Sequence, residues 1–540
     1  DCGAGGFSSA IGEMAKDLGA SVELEKAPLK YAGLTYTEIW ISEAQERMVL
    51  SVPKENVEKL RAICAEEGVE LADLGEFGTE SKTLKLSYNG VAVGEMSMEF
   101  LHDGIPQPTR EAVWREPAYT ATSRTRRGSG NVQGTLLKLL GHPTIASKHW
   151  IIRQYDHEVQ GNTVVKPLVG PRGRGPGDAT VIEPVAGTGQ GLSVSCGLAT
   201  GVGDPMVAGD PYLAALAGID ECVRNLVCVG THPERIAILD NFCWPSCEKP
   251  ENLAALVRAC EGCYDGAKAY GTPFVSGKDS LNNQLRYEDP ATGEKKVIEI
   301  PPTLLISGIG IVPSINTCVT MDAKSAGNVL MLIGRGGPEM AGSVFESVEG
   351  LGGMEEDALR VPRVDLKVGP ATADAVATMI HDGIVRSAHD CSDGGLLVAV
   401  AEMLIASYKG VAGGGVSENA GAKIDVNAVI QNLLKPQLSN LMEKPAAGGT
   451  AAAEIGVELS IWDDMLSAEQ LAFGEAPSRY VIEVEQKDVQ RVRNVLRDFG
   501  GIHASLIGTL NTSGKLTWAK GDVSVGVGEL VGKWMGTLDW

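Results

Sequence analysis

An aspartate set beside a glycine pair occurs twice in this chain. Asp1-Cys2-Gly3-Ala4-Gly5-Gly6 opens residues 1–14, and Asp390-Cys391-Ser392-Asp393-Gly394-Gly395 opens residues 390–403. A carboxylate at a Gly-rich turn that leads into a helix can give Mg²⁺ a hard oxygen ligand, while the N–H groups of the turn face phosphate. The same residues also make an ordinary N-cap and turn, and duplication does not choose between the two readings. Glu221 and Asn225, in IDECVRN, stand one helical turn apart on one face, where they form either a metal shell or a solvated helix edge. Asp178 ends the Gly-rich run RGPGD and enters a strand, another common place for a metal-binding carboxylate.

Three further groups are weaker. VSGKDSLNNQ (275–284) contains Gly277-Lys278, but Asp279 stands where a phosphate loop needs Ser or Thr. Another kind of phosphate or substrate loop stays open there. Cys243, Cys247, Cys260 and Cys263 have a zinc-like spacing. Cys260 and Cys263 fall within a predicted helix, however, so the pair is expected to pack as buried thiols rather than hold metal. His142, His149, His157 and His389 are candidates with no partner legible in the sequence.

These residues need elements to hold them. Residues 1–20 predict a Gly turn entering a helix with Phe7, Ile11, Met14 and Leu18 on one face; 38–52 predict a strand; 54–67 predict an amphipathic helix through Val57, Leu60, Ile63 and Cys64. In that strand Glu43 and Gln45 would share a face, with Ile41 and Ala44 packed elsewhere. Further along, helices are expected at 211–230 and 251–271 and strands at 235–242 and 272–280. The motif is one part of a longer repeat. Asp1, Cys2, Gly5, Gly6, Ala10, Glu13 and Met14 recur as Asp390, Cys391, Gly394, Gly395, Ala399, Glu402 and Met403. EAQERMVLSVPKENVEKLR (43–61) is echoed by EAPSRYVIEVEQKDVQRVR (475–493), pairing Glu43 with Glu475, Arg47 with Arg479, Val49 with Val481 and Val52 with Val484. Two echoes in one order indicate a duplicated domain.

The domains read as 1–122, an α/β domain of a first unit; 123–147, a linker around SRTRRGSGN; 148–326, a sheet domain; and 327–540, an α/β domain of a second unit. Segments 410–423 and 443–456 read as surface insertions. A formal charge of −22 over 540 residues argues against bulk binding to a nucleic-acid backbone but allows a nucleotide neutralised by metal. An odd count of 11 cysteines in apolar contexts favours reduced thiols and a cytoplasmic setting.

Together DCGAGGFSSAIGEMA, EIWISEAQERMVL, RQYDHEVQG, DPYLAALAGIDECVRNLV, LDNFCWP, YGTPFVSGKDSLNNQ, PPTLLISGIGIVP and HDCSDGGLLVAVAEM resemble the phosphoribosylformylglycinamidine synthases, in the form without a fused glutaminase. That family lies within the aminoimidazole ribonucleotide synthetase superfamily. The resemblance implies an α+β or α/β fold of tandem duplicated synthetase units, each a sheet domain plus an α/β domain, with the first sheet domain missing here. It implies metal ligation by Asp1 in the first unit, and by Asp178, Glu221, Asn225 and Asp390 around an auxiliary nucleotide. It implies substrate contacts from Glu43, Gln45 and Ser280, and nucleotide contacts from Asp240, Gly277 and Lys278. Lys278 stands where short members place a metal-binding Asn, and an ammonium cannot ligate Mg²⁺.

The implied activity is ATP- and Mg²⁺-dependent amidation of formylglycinamide ribonucleotide, with ammonia from a glutaminase partner. The family's catalytic histidines are expected upstream of Asp1, in an N-terminal portion of the same enzyme, so residues 1–540 alone are expected not to amidate the substrate. An apolar face of the remaining sheet domain would then be exposed. The alternatives are another ATP-dependent synthetase or kinase of the superfamily and a non-catalytic nucleotide-binding fragment.

Overall fold

The computed structural model describes residues 1–44, 46–117, 130–410, 454–461, 463 and 465–538. Gln45, residues 123–129 of the expected linker and nearly all of the two expected insertions lie outside the described residues. The chain divides into two units, Asp1–Arg110 and Glu111–Trp540.

In the first unit the Gly5-Gly6 turn leads into α1 (Phe7–Met14), followed by β1 (Ala20–Glu23), α2 (Tyr36–Ile41), α3 (Val57–Glu66), β2 (Gly75–Phe77), β3 (Thr83–Tyr88), β4 (Val91–Ser97) and α4 (Met98–Asp103). The sheet order is β2-β1-β3-β4, with β1 parallel to β3. Asn89 and Gly90 both take positive φ, 50° and 75°, which closes the β3–β4 hairpin with the twist its strands need. Phe7, Ile11, Val22, Leu24, Ile39, Leu84 and Met98 form the core.

The strand expected over 38–52 is not there. Thr35 accepts from Glu38 N at 3.3 Å, and Glu38 Oε2 accepts from Thr35 N at 2.7 Å. This reciprocal cap starts α2 through 38–41 and overrides the β-branched and aromatic propensity of EIWI. Residues 42–44 and 46–52 join no strand ladder. The expected alternation at Glu43 therefore has no strand to rest on. Helix α3 forms where predicted, yet it buries none of its residues.

In the second unit, α5 (Val132–Leu140) lies within the expected linker, which corrects that reading. Asn131 caps it through Gly134 N at 2.8 Å, and Val132, Leu136, Leu139 and Leu140 are buried. Helix α6 (His149–Ile152), β5 (Thr163–Val165), β6 (Leu168–Val169), β7 (Gly175–Pro176), β8 (Thr180–Ile182), β9 (Gly191–Gly197) and α7 (Thr200–Gly203) follow. Then come α8 (Pro211–Cys228), β10 (Ile236–Cys243), α9 (Pro250–Tyr270), β11 (Phe274–Ser280), β12 (Gln284–Glu288), β13 (Lys295–Glu299) and β14 (Thr303–Val312). Asp210 and Pro211 start α8: the aspartate accepts from Tyr212 N, and the proline sits at the first turn. A six-stranded sheet has the order β11-β10-β14-β9-β8-β5, and α8 packs on α9 and against β9 and β14.

The rest of the second unit contains β15 (Val329–Ile333), α10 (Val344–Glu349), α11 (Val368–His381), β16 (Val385–Asp390), α12 (Gly395–Ser407), β17 (Gly456–Leu459), β18 (Tyr480–Val484), β19 (Ala504–Asn511), β20 (Lys515–Trp518) and β21 (Val523–Gly526). Helices at Ala468–Phe473, Val489–Asp498 and Val527–Met535 complete it. The seven strands run β16-β18-β15-β19-β17-β20-β21. Every residue of β15 and β18 is buried, as in a strand covered on both faces. One hydrophobic core runs through both sheets of this unit.

Candidate functional site

Strand β16 delivers Asp390 to the end of the sheet, where the chain turns through Gly394 and Gly395 at φ 78° and 71°. A Cβ on Gly395 would lie 2.7 Å from the backbone of Phe473, so this close approach requires glycine. The turn then enters α12, whose residues are nearly all buried, and this fixes the position of the acidic segment before it.

Four segments bring acids to this turn. Asp178 Oδ1 accepts from His389 Nδ1 at 2.7 Å and from the backbone N–H of Asp390 at 2.9 Å, across 212 residues of sequence. Glu221, on α8, accepts from Ser392 Oγ at 2.8 Å and from Leu198 N at 2.7 Å. Arg224, one turn further on the same helix, is 4 % exposed and reaches Asp390 Oδ2 at 3.4 Å. Glu475 accepts from Gly394 N at 2.7 Å and Val344 N at 2.9 Å, tying the turn to the start of α10. Glu402, on α12, holds the other imidazole nitrogen of His389 at 3.2 Å.

So many buried carboxylates raise one another. Burial, then the Asp393 and Asp390 charges, pushes Glu221 well above the ordinary carboxylate value. Burial and Asp393 do the same to Glu475. Asp393 is pushed to about 6, first by burial and then by Asp390 and Glu402. Asp390 is raised by burial, with Arg224 opposing. Burial works against a charged His389, but Asp178 and Glu402 on its two sides outweigh it and hold the ring protonated well above its ordinary range.

A cluster of this sign suits a cation. Ligand atoms of Asp178, His389 and Asp390 lie within 4.8 Å of one another. Asp178, Asp390 and Glu221 offer hard oxygens of the type Mg²⁺ takes, so the donor chemistry fits that ion.

The structure therefore sets Asp178 beside Asp390 and ties Glu221 to the same turn through Ser392. Asn225 lies one turn beyond Glu221, with its amide nitrogen donating to the Cys196 carbonyl at 3.0 Å. A second group gathers on neighbouring strands. Asp240 on β10 pairs with Gly277 on β11, and a Cβ on that glycine would meet Asp240 Oδ1 at 2.6 Å. Burial raises the Asp240 carboxyl, while the backbone N–H of Lys278 counteracts it. Lys278 Nζ donates to Ser280 Oγ. VSGKDS is thus an edge strand and not a phosphate loop. Asp1 and Glu43 belong to the first unit and are exposed; among the described residues Asp1 accepts from Gly3 N, at 3.3 Å. Cys263 is buried but Cys260 is exposed, which corrects the expectation that both pack inside.

The sequence reading left His389 without a partner; it has two. It also missed Arg224, Asp393, Glu402 and Glu475. Glu402 and Glu475 stood out in the sequence as repeats of Glu13 and Glu43, but nothing there gave them a role; Asp393 was open to discovery as the position where the second copy departs from Ala4.

The description "AIR synthase related protein, C-terminal domain" matches residues 1–86 and 325–412, and "AIR synthase related protein, N-terminal domain" matches 176–312. The phosphoribosylformylglycinamidine synthase subunit PurL of Deinococcus radiodurans is 33 % identical over 493 residues, covering 89 % of this chain and 62 % of that protein. The subunit of the same name from Anaeromyxobacter dehalogenans is 30 % identical over 540 residues, covering 99 % and 62 %. The chain thus spans about 62 % of the length of these curated relatives. Among solved structures, PurLQS from Thermotoga maritima matches at a TM-score of 0.55 and 18 % identity, over 95 % of this chain and 63 % of that one. T. maritima PurL complexed with ATP matches at 0.54 and 17 %, over 94 % and 63 %. At that identity the likeness is one of fold.

Proposed function

The chain belongs to the AIR synthase related family, and on that premise we propose that it forms part of a phosphoribosylformylglycinamidine synthase. The reaction is ATP-dependent amidation: the amide oxygen of formylglycinamide ribonucleotide takes the γ-phosphoryl group of ATP, and ammonia then displaces phosphate to give the amidine. The observation that supports this best is Asp178 set against Asp390 at a buried Gly-Gly helix entry, with Glu221 bonded to Ser392 of the same turn.

In this reading Asp178, Glu221, Asn225 and Asp390 hold a Mg-nucleotide in the second unit. The bound ion supplies neutralisation of phosphate charge. The chain's own part is positional. Gly394 and Gly395 let the backbone turn tightly beside the acids, Glu475 pins that turn, and His389 fixes Asp178 against the backbone of Asp390. Such fixed groups act by orientation and charge placement rather than by covalent chemistry. In the second unit Asp240, Gly277 and Lys278 contribute nucleotide contacts and Ser280 a substrate contact; taken by itself, the first unit contributes Asp1 as a metal ligand and Glu43 and Gln45 as substrate contacts.

The partners in this reading are a glutaminase that supplies ammonia and a second sheet domain of the same kind. Val194, Leu239 and Ile309 lie on the adjacent strands β9, β10 and β14 and are 49 %, 36 % and 39 % exposed. An apolar patch of neighbouring strands is the kind of surface such a domain covers. No helix among the described residues is long and apolar enough to cross a membrane, and a cytoplasmic setting fits a purine-synthesis role.

The test is amidine formation from formylglycinamide ribonucleotide, ATP, Mg²⁺ and ammonium by this chain paired with the first sheet domain of a homologous PurL subunit. Amidine formation that needs both components is expected. ATP turnover on an unrelated acceptor, with no amidine, would point instead to another synthetase or kinase.

A further inference from the structure

Arg224 has no role in the ligand set above, yet it is the only arginine among the described residues paired to one of those carboxylates. Its guanidinium is 4 % exposed, with Nη1 on Asp220 and Nη2 on Asp390 Oδ2. Asp220 is itself fixed on every side. Tyr270 Oη donates to Oδ1 at 2.5 Å, Ser478 Oγ donates to Oδ1 at 2.6 Å, and Ser478 N donates to Oδ2 at 2.9 Å. The arginine is thus anchored through α8, the end of α9 and the segment before β18. The other oxygen of Asp390, Oδ1, lies 3.8 Å from His389 Nδ1, on the Asp178 side. The two oxygens of Asp390 therefore have different neighbours: Oδ2 is reached by the anchored guanidinium, and Oδ1 lies toward the His389 ring that Asp178 holds.

We infer that Arg224 is a positioning residue that makes Asp390 a one-oxygen ligand and so sets which divalent cation the site accepts. The inference rests on the reading of Asp178, Glu221 and Asp390 as the metal shell. Ca²⁺ takes carboxylates in one- or two-oxygen mode within a flexible shell of six to eight oxygens, whereas Mg²⁺ demands a compact octahedron. Occupying Oδ2 with a guanidinium removes the two-oxygen mode and penalises Ca²⁺ more than Mg²⁺. Asp220, Tyr270 and Ser478 act one step further out, by keeping the guanidinium from swinging away.

The experiment is competition against Mn²⁺ on the full chain with ATP present, read by the free-Mn²⁺ paramagnetic signal, with Mg²⁺ and Ca²⁺ as competitors. The quantity read is the ratio of the two competitors' affinities, which a loss of folded protein does not move. Wild type should prefer Mg²⁺. Arg224→Met should shrink that preference by about tenfold, the scale of one hydrogen bond to a charged group. Arg224→Lys, which keeps the charge but lacks the two-pronged fork, and Tyr270→Phe should shrink it less. The two milder variants also cover the case in which Arg224→Met does not fold. A wild-type site that binds Mn²⁺ with an unchanged ratio in the variants overturns the inference alone. Wild-type protein that binds no Mn²⁺ with ATP overturns the metal-site reading and the inference with it.

Discussion

The two copies of the Asp-Cys-x-x-Gly-Gly segment have the same local geometry and opposite surroundings. In the first unit Cys2 N donates to Arg47 O at 3.0 Å, and in the second Cys391 N donates to Arg479 O at 3.1 Å. Gly6 N and Gly395 N close the same turn on Gly3 O and Ser392 O, both at 2.9 Å. Arg47 and Arg479 each send Nη2 back to a carbonyl just ahead of them, Ser42 and Gly474. Beyond the turn the likeness ends. Asp1, Glu13 and Glu43 are exposed, whereas Asp390 is buried and Glu402 and Glu475 are bonded to His389 and to two backbone N–H groups. The turn follows from the repeated residues themselves. The acid cluster does not; it depends on Asp178 and α8, which come from elsewhere in the second unit.

That comparison can be broken first at the glycines. Gly395→Ala forces a Cβ into the Phe473 backbone at positive φ, and Gly6→Ala does the same 2.2 Å from Ser42 O. Each should cost roughly 2–4 kcal/mol, combining backbone strain with overpacking. Denaturant melts that read the two units separately would show it, and a tolerated alanine in either copy would separate their geometries.

The next effect lies in the charges. Glu475→Ala leaves Gly394 N and Val344 N without an acceptor in a buried place and should cost about 1–3 kcal/mol, while Glu43→Ala should stay within about 0.5 kcal/mol. Equal costs at the two positions would mean that the first unit buries its glutamate after all.

The pH dependence is smaller and falls on Asp393, which has Ala4 as its counterpart. Its carboxyl is raised from 3.8 to about 6 in the folded chain. A raised acid favours folding while it is protonated, so its contribution is complete below 3.8 and is lost as pH climbs through about 6. The metal-free protein should therefore lose on the order of 1–3 kcal/mol over that window, and Asp393→Asn should flatten the curve. Thermal melts from pH 4 to pH 7 in chelator check this, and parallel curves for the two proteins would contradict it.

The sequence made some of this legible and hid the rest for physical reasons. Helices α8 and α9 and strands β10 and β11 followed from long apolar periodicity and flanking turn residues, and the i, i+4 spacing set Glu221 and Asn225 on one helical face. Residues 38–52 misled because a four-residue cap, Thr35 to Glu38, outweighed strand propensity. The helix at Val132–Leu140 was hidden by its arginine-rich neighbour, although its leucines recur at helical spacing. His389 could not be given partners, because Asp178 is 211 residues away and only the fold brings it near. Gln45 lies outside the described residues.

The most direct test of the central claim counts Mg-dependent ATP sites on residues 1–540 by equilibrium dialysis, comparing Asp390→Asn with Asp1→Asn. One site per chain is expected, weakened by roughly a hundredfold or more in Asp390→Asn and unchanged in Asp1→Asn. Binding that survives Asp390→Asn and is lost in Asp1→Asn would place the site in the first copy and contradict the account.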